Sequence, residues 1–154
     1  MEKPKPIKRS ENIQPLSRDH HHSLLLCWKI RKGFSKGVAP ERIKKYTDWF
    51  YEEQVLPHFE IEEKYLYPVL GEKNELVQRA LAEHRRLKRL FEDEKDMVKS
   101  LGLLEEELEL HIRFEERELF NEIQKNATEE ELAVISEIHK DEKFQDNTQD
   151  EFWK

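Results

Sequence analysis

The stretch "PHFEIEEKYLYP", residues 57–68, places a histidine, a pair of glutamates and two tyrosines inside an apolar helical pattern. His58 and Glu62 are four residues apart, which in an α-helix is about 40° around the axis and about 6 Å along it. Both side chains can therefore point into the protein together. Because buried charge is costly unless it is paired or binds a metal, the spacing raises the prospect of a site in the protein interior.

The same pattern occurs a second time. "HFEIEEKYLYP" begins at residue 58 and "HIRFEERELFN" begins at residue 111. The aligned pairs are His58 with His111, Glu62 with Glu115, Glu63 with Glu116, Leu66 with Leu119, and Tyr67 with Phe120. A fainter repeat, "RDHHHSLLL" and "AEHRRLKRL", places an acid directly before a histidine in each copy. The repeats indicate either two related helical hairpins or one chemical task shared by both halves.

Composition narrows the class of protein. Charged residues make up 40% of the 154 residues and there are only four glycines, which favours long amphipathic helices. The net charge of −7 argues against nucleic acid as a partner. Cys27 is the single cysteine, so we expect no intramolecular disulfide and a reducing cytoplasm. No apolar run approaches the roughly 18 residues of a membrane span, and the basic, proline-rich start lacks a signal peptide's apolar middle. We expect a cytoplasmic monomer or dimer without a membrane partner.

Local signals predict five helices. Ser17 is a candidate N-cap for the first, and Gly33 and Gly37 mark its end. The second opens after "APER", residues 39–42, and ends at Pro68 and Gly71, with a kink expected at Pro57. The third covers about 74–100, and Gly102 separates it from the fourth, about 103–125.

The fifth helix is shorter, and Thr128 followed by Glu131 predicts a capping box at its start. Four long helices joined by short loops predict an all-α fold, an up-down-up-down antiparallel four-helix bundle with a short additional C-terminal helix. We assign residues 1–15 to an N-terminal arm, 16–145 to the bundle and 146–154 to a C-terminal tail. The aromatics of "EFWK" in that tail either dock on the bundle or remain free.

The two His-x-x-x-Glu pairs and single histidines on the first and third helices supply four imidazoles and two carboxylates. In an antiparallel bundle all six can meet at one level of the core. Imidazole with carboxylate suits iron, manganese or zinc, and six ligands exceed what one tetrahedral zinc requires. Two adjacent ions bridged by the carboxylates use all six, so we predict two iron ions, with zinc or manganese as possible substitutes.

The pattern H…HxxxE…H…HxxxE resembles the hemerythrin-like, or HHE cation-binding, domain family over about residues 17–125. The resemblance implies a four-helix bundle with a non-haem di-iron centre. It further implies His58, His84 and His111 as terminal ligands and Glu62 and Glu115 as bridges. From "DHHH" we choose His20, which keeps the acid–histidine pair seen at Glu83 and His84, with His21 as the alternative.

The sequence departs from the oxygen-carrying hemerythrins, which have HxxxH on the third helix and a final aspartate. Here Lys88 stands four residues after His84, and Glu115 ends the second pair. The resemblance therefore implies one histidine fewer and an open coordination position. We expect a protein that binds or senses O₂, NO or peroxide, or responds to iron. Alternatives are a di-iron oxidoreductase that reduces peroxide or NO or oxidises ferrous iron, and a structural or adaptor bundle stapled by metal.

Several nearby residues receive less specific interpretations. Tyr65 and Tyr67 lie three and five residues after Glu62, where either could lie near the metals as a hydrogen-bond donor or a ligand, although core packing is the simpler role. Glu63 and Glu116 are expected beside the ligands or facing solvent. His139 has polar neighbours and lies outside the repeat, so it is interpreted as a surface residue without a role in the site.

Overall fold

The computed structural model describes residues 9–139 and 144–154, which contain five helices and no strand. The helices are α1 (Gln14–Ser35), α2 (residues 40–69), α3 (Glu75–Glu92), α4 (residues 97–126) and α5 (Glu129–Ile138). The first eight residues of the predicted arm, and residues 140–143 of the predicted bundle, lie outside the described part. No helix within that part is both long and apolar enough to cross a membrane.

Contacts between α1 and α4 show that these helices are antiparallel. The Ser17 hydroxyl, near the start of α1, donates to Glu116 Oε2 at 2.9 Å, near the end of α4. At the other end of α1, the Arg31 guanidinium lies 2.7 Å from Glu105. Opposite ends also meet between α1 and α2, between α2 and α3, and between α3 and α4, so α1 to α4 form the predicted bundle. The pairs are Asp19 with His58, Lys29 with Tyr46, Glu63 with His84, Tyr51 with Glu92, Arg79 with Glu118, and Arg86 with Glu107.

The helices α2 and α4 both contain π turns, in which the backbone hydrogen bond runs from residue i to residue i+5. In α2 the α-helical segments Pro40–Phe50 and Leu56–Ile61 alternate with π turns at Tyr51–Val55 and Glu62–Leu66, before a 3₁₀ turn at Tyr67–Val69. In α4 a π turn at Glu115–Leu119 joins Met97–Phe114 to Phe120–Asn126. Two of the three π turns therefore begin at the repeated glutamates.

The remaining π turn, Tyr51–Val55, is where α2 accommodates Pro57. A proline inside a helix removes one backbone donor, and its ring collides with the carbonyl one turn earlier. The wider turn Tyr51–Val55 lies directly before the segment that contains Pro57. The irregularity expected at this proline thus takes the form of a π turn.

Two predicted features of α1 need correction. The helix begins at Gln14 with Ile13 as N-cap, so Ser17 is not the cap but a first-turn residue whose hydroxyl contacts α4. Ile13 is fully buried, which ties the described end of the predicted arm to the bundle. At the other end α1 continues past Gly33 to Ser35, and Gly37 (φ 71°) adopts the left-handed conformation that follows it.

The break between α3 and α4 was predicted at Gly102 but lies at residues 93–96. Asp96 caps α4 by accepting from the Lys99 amide at 3.3 Å, and Asp93 accepts from the Lys95 amide at 3.1 Å. Aspartate competes for backbone donors in this way and so favours helix ends. Gly102 lies inside α4 with open space around it. The capping box at Thr128 and Glu131 is confirmed at the start of α5.

The buried side chains form two apolar clusters. One surrounds Phe50, Phe91 and Leu104, and the other surrounds Leu66 and Phe120. Between the clusters lies a layer of buried histidines and glutamates from all four bundle helices. The bundle thus has apolar cores on both sides of one polar layer.

The last residues of the chain fold back onto the bundle. Phe152 and Trp153 are 3% and 8% exposed and belong to the first apolar cluster. The Lys29 ammonium lies 4.0 Å from the centre of the Trp153 ring and 2.6 Å from Asp146. Of the two alternatives for "EFWK", the structure shows docking.

Replacing Gly33 with alanine should destabilise the fold. A Cβ at this position would lie 2.8 Å from the Phe152 ring and from Ile43 Cδ1, both buried. We expect a loss of about 1–3 kcal/mol in the free energy of unfolding, typical of overpacking. The matched control is Gly102→Ala, inside α4 with no atom nearby, which should stabilise by about 0.5–1 kcal/mol. Urea unfolding of metal-free protein measures both, and equal effects would contradict the packing role.

Candidate metal centre

Six side chains meet in the polar layer, and all six are at least 94% buried. They are His20 from α1, His58 and Glu62 from α2, His84 from α3, and His111 and Glu115 from α4. They form two overlapping groups, and within each group the ligand atoms all lie within 4.8 Å of one another. The His20 group contains His20, His58, Glu62 and Glu115, and the His84 group contains Glu62, His84, His111 and Glu115.

The carboxylate of Glu62 faces both groups. Its Oε2 lies 3.0 Å from His58 Nε2 and 3.6 Å from His20 Nε2, whereas its Oε1 lies 3.2 Å from His84 Nε2. Glu115 Oε1 lies 3.2 Å from His20 Nε2 and 3.0 Å from His111 Nε2. Each carboxylate can therefore contribute to both groups, as bridging ligands do.

Each of the four histidines is fixed by a second carboxylate at its other ring nitrogen. The Nδ1 contacts are His20 with Glu116 at 2.7 Å, His58 with Asp19 at 2.9 Å, His84 with Glu63 at 2.7 Å, and His111 with Glu83 at 2.7 Å. A carboxylate can only accept, so each Nδ1 carries the hydrogen and each Nε2 points to the centre. Such pairs orient metal-binding histidines and raise their basicity.

The four carboxylates follow the sequence repeats. Asp19 and Glu83, which directly precede His20 and His84, hold His58 and His111 on neighbouring helices. In the longer repeat, the glutamate that follows each bridging candidate holds one of the single histidines. Glu63 holds His84, and Glu116 holds His20. The acid before each single histidine was noted in the sequence, but its role in holding a different histidine was not foreseen.

In the absence of metal, the buried charges shift the pKa values of His58, His111 and Glu62. Burial disfavours the charged form of His58 and His111, but Glu62 and Glu115 beside them outweigh it and raise the pKa of both histidines to about 9. Burial opposes ionisation of Glu62 as well, yet His58 and the other histidines hold its pKa well below the usual range. Protons on the imidazoles thus balance the carboxylates when no cation does.

The donor set fits a metal. Four buried side-chain atoms have no hydrogen-bond partner in the described structure. Three of them belong to the centre, Glu62 Oε2, His111 Nε2 and Glu115 Oε1, and the fourth is His22 Nδ1. His111 Nε2 and Glu115 Oε1 are 3.0 Å apart but are not aligned as a hydrogen bond. Unpaired buried polar atoms are costly, and a cation at the centre would satisfy the three that belong to it.

The hydroxyl of Tyr67 also lies in this layer. It donates to Glu115 Oε2 at 2.7 Å and lies 3.1 Å from His84 Nε2. Its counterpart in the other repeat, Phe120, stacks on His20 with 5.1 Å between ring centres. The two halves of the centre therefore differ, with a hydroxyl beside the His84 group and a phenyl ring beside His20.

The other candidate residues lie outside the cluster. His21 is exposed, so the structure brings His20 and not His21 to the other five. Tyr65 is half-buried against apolar neighbours, with the Lys64 ammonium 5.5 Å from its ring centre. Lys88 lines a surface cleft with Glu63.

His139 is not the unconnected surface residue that its polar neighbours predicted. Its side chain is 19% exposed and its Nε2 lies 2.7 Å from Asp19 Oδ2. This contact joins α5 to the bundle, and nothing in the local sequence around His139 indicates where α5 packs.

Removing one outer carboxylate should weaken metal binding without removing a ligand. In Glu63→Ala the Nδ1 of His84 loses its acceptor, so we expect about 10- to 100-fold weaker binding. Competition with a coloured chelator measures the affinity. Glu60→Ala, an exposed residue on the same helix, is the control and should leave the affinity unchanged. Equal losses in the two variants would argue against a role for the Glu63 contact.

Comparison with known proteins agrees with this geometry. The family model described as the Hemerythrin HHE cation binding domain matches residues 12–100, more than half of the chain. Searches of curated proteins and of solved structures gave no match. The matched region includes His20, His58, Glu62 and His84, whereas His111 and Glu115 lie beyond it and rest on the repeat and on their position in the cluster. The chain belongs to the hemerythrin HHE cation-binding domain family.

Proposed function

We propose that the protein holds two iron ions, one in each group, and binds or senses a small ligand such as O₂, NO or peroxide. The observation that carries the proposal is Glu62, whose two carboxylate oxygens face different histidine groups. Imidazole and carboxylate donors suit iron, and zinc or manganese are the alternatives that the same donors accept. Cys27 lies in an apolar cluster, where burial raises the pKa of its thiol to about 12, which is unfavourable for a thiolate ligand.

An iron pair bound here would supply a change of oxidation state and open coordination positions. The protein's part is to orient the donors and to keep bulk water away. The four Nδ1 contacts fix the imidazole rings, and the apolar clusters cover the layer on both sides. A cleft of about 870 Å³ whose lining includes Asp19 and His58 offers a small molecule a path to the His20 group.

A di-iron oxidoreductase is the second candidate, favoured by Tyr67. Its hydroxyl lies between Glu115 Oε2 and His84 Nε2, so it can donate a hydrogen bond or a proton at the centre. Burial and the charges of Glu115 and Glu62 raise the pKa of Tyr67 well above its usual value, which keeps the hydroxyl protonated in the absence of metal. Turnover of peroxide or NO with an electron donor would distinguish the enzyme from a sensor.

The test is metal content and optical absorption of protein loaded anaerobically with Fe²⁺, before and after exposure to air, NO or hydrogen peroxide. The proposal expects about two irons per chain and new near-ultraviolet bands on oxidation. One ion per chain would contradict the dinuclear centre. Two ions with a spectrum that no ligand alters would favour the third function considered, a bundle stapled by metal.

A further inference from the structure

A chain of hydrogen bonds leads from α5 into the metal centre. Asp19 Oδ2 accepts from two imidazoles, His58 Nδ1 at 2.9 Å and His139 Nε2 at 2.7 Å. The inner imidazole belongs to the His20 group, whereas the outer one lies just after the end of α5. A residue outside the four bundle helices is thus two hydrogen bonds away from a proposed metal ligand.

The other outer carboxylates receive different support. Glu116 accepts from the Ser17 hydroxyl at 2.9 Å, and Glu83 accepts from Arg79 Nε at 2.9 Å. Ser17 and Arg79 come from bundle helices, α1 and α3, which also carry proposed ligands. Glu116 accepts in addition, at 3.4 Å, from Nε of Arg9, which lies before α1. The Asp19 carboxylate instead accepts from His139, at the end of α5, so the packing of that short helix affects the position of the Asp19 carboxylate.

The position of His139 is itself well defined. Its amide donates to the Ile135 carbonyl at 3.1 Å, and the Ile135 side chain is 1% exposed within the second apolar cluster. At the start of α5 the capping box of Thr128 and Glu131 fixes the first turn. The imidazole of His139 therefore reaches Asp19 from a helix anchored at both ends.

We propose that His139 is a positioning residue of the metal centre, which holds Asp19 against His58 and so sets the metal affinity of the His20 group separately from that of the His84 group. The inference rests on the proposed two-ion centre. Without the bond from His139, the Asp19 carboxylate is free to turn toward the cleft that it lines with His58. His58 then loses the contact that orients its ring. The His84 group is held by Glu63 and Glu83 and does not depend on this chain of bonds.

Stepwise titration of the metal-free full-length chain with Co²⁺, followed by calorimetry and visible absorption, tests the proposal. His58→Ala first identifies which of the two binding steps belongs to the His20 group. We expect His139→Ala to weaken that same step by about tenfold and to leave the other within twofold. His139→Gln keeps a side-chain N–H donor and should restore most of the affinity. Ile138→Ala, on the neighbouring cleft residue, should change neither step.

Three results would overturn the proposal. These are two unchanged steps in His139→Ala, equal weakening of both steps, and failure of His139→Gln to restore the affinity while Ile138→Ala binds normally. A variant that only unfolds more easily, with an unchanged titration, would show a purely structural role. If the unsubstituted chain gave no two-step titration with Co²⁺, the two-ion centre itself would fail, which separates the two proposals.

Discussion

Glu62→Ala is expected to empty both metal positions, whereas His58→Ala should empty one. The carboxylate of Glu62 belongs to both ligand groups, with Oε2 beside the histidines of the His20 group and Oε1 beside His84. His58 belongs to one group. Losing a ligand costs more than the 10- to 100-fold typical of an outer partner, so we expect affinity at both positions to fall by roughly 100-fold or more.

Metal analysis after equilibrium dialysis against Fe²⁺ or Zn²⁺ measures this difference. We expect about two ions in the unsubstituted chain, about one in His58→Ala and fewer than one in Glu62→Ala. Glu60→Ala, exposed on the same helix, should retain two. Retention of a full ion by Glu62→Ala would mean that this carboxylate serves a single metal, and the bridging geometry would be wrong.

The second large effect is a loss of stability of the metal-free protein as the pH rises from about 6.5 to about 9. The raised pKa of His58 and His111, about 9 in the folded state, means that the folded chain holds protons that the unfolded chain has released. This contribution is complete below pH 6.5 and is lost as the pH rises through 9. For each histidine it amounts to about 3 kcal/mol in the free energy of unfolding.

Bound metal replaces these protons, so the loaded protein should lack this decline. Urea unfolding at a series of pH values, with and without metal, measures the difference. Metal binding near pH 7.5 should accordingly release protons, which calorimetry in buffers of different ionisation enthalpy detects. A metal-free stability that stays flat from pH 6.5 to pH 9 would show that the buried carboxylates are not balanced by these imidazoles.

Local spacing was sufficient to predict much of the centre. The i, i+4 pairs His58–Glu62 and His111–Glu115 lie on one helical face whatever the tertiary contacts, so their convergence follows from an antiparallel bundle. The choice of His20 over His21 rested on the acid–histidine pair, and the structure places Asp19 beside a neighbouring histidine. Both members of the sequence pair thus serve the centre: Asp19 holds a histidine of the neighbouring helix, and His20 belongs to the ligand cluster.

Other features depended on competition between local signals or on distant contacts. Gly102 suggested a helix end, but Asp93 and Asp96 cap more strongly and moved the break. His139 acquires its role through the packing of α5, which no local pattern encodes. For Tyr67, core packing was the simpler of two interpretations, and five residues after Glu62 is about 140° away on an α-helix.

The π turns explain why that last interpretation was incomplete, and they determine where the chain can change in length. The Tyr67 amide donates to the Glu62 carbonyl and the Phe120 amide to the Glu115 carbonyl, so residues five apart are brought onto one face. Loss of one residue from either turn would restore an ordinary α-helix in which the same two residues are four apart, about 40° around the axis, and so still share a face. Loss of one residue from an α-helical segment would instead rotate everything after it by about 100°. The two π turns are therefore the places in α2 and α4 where the chain can shorten by one residue while Tyr67 or Phe120 stays at the centre.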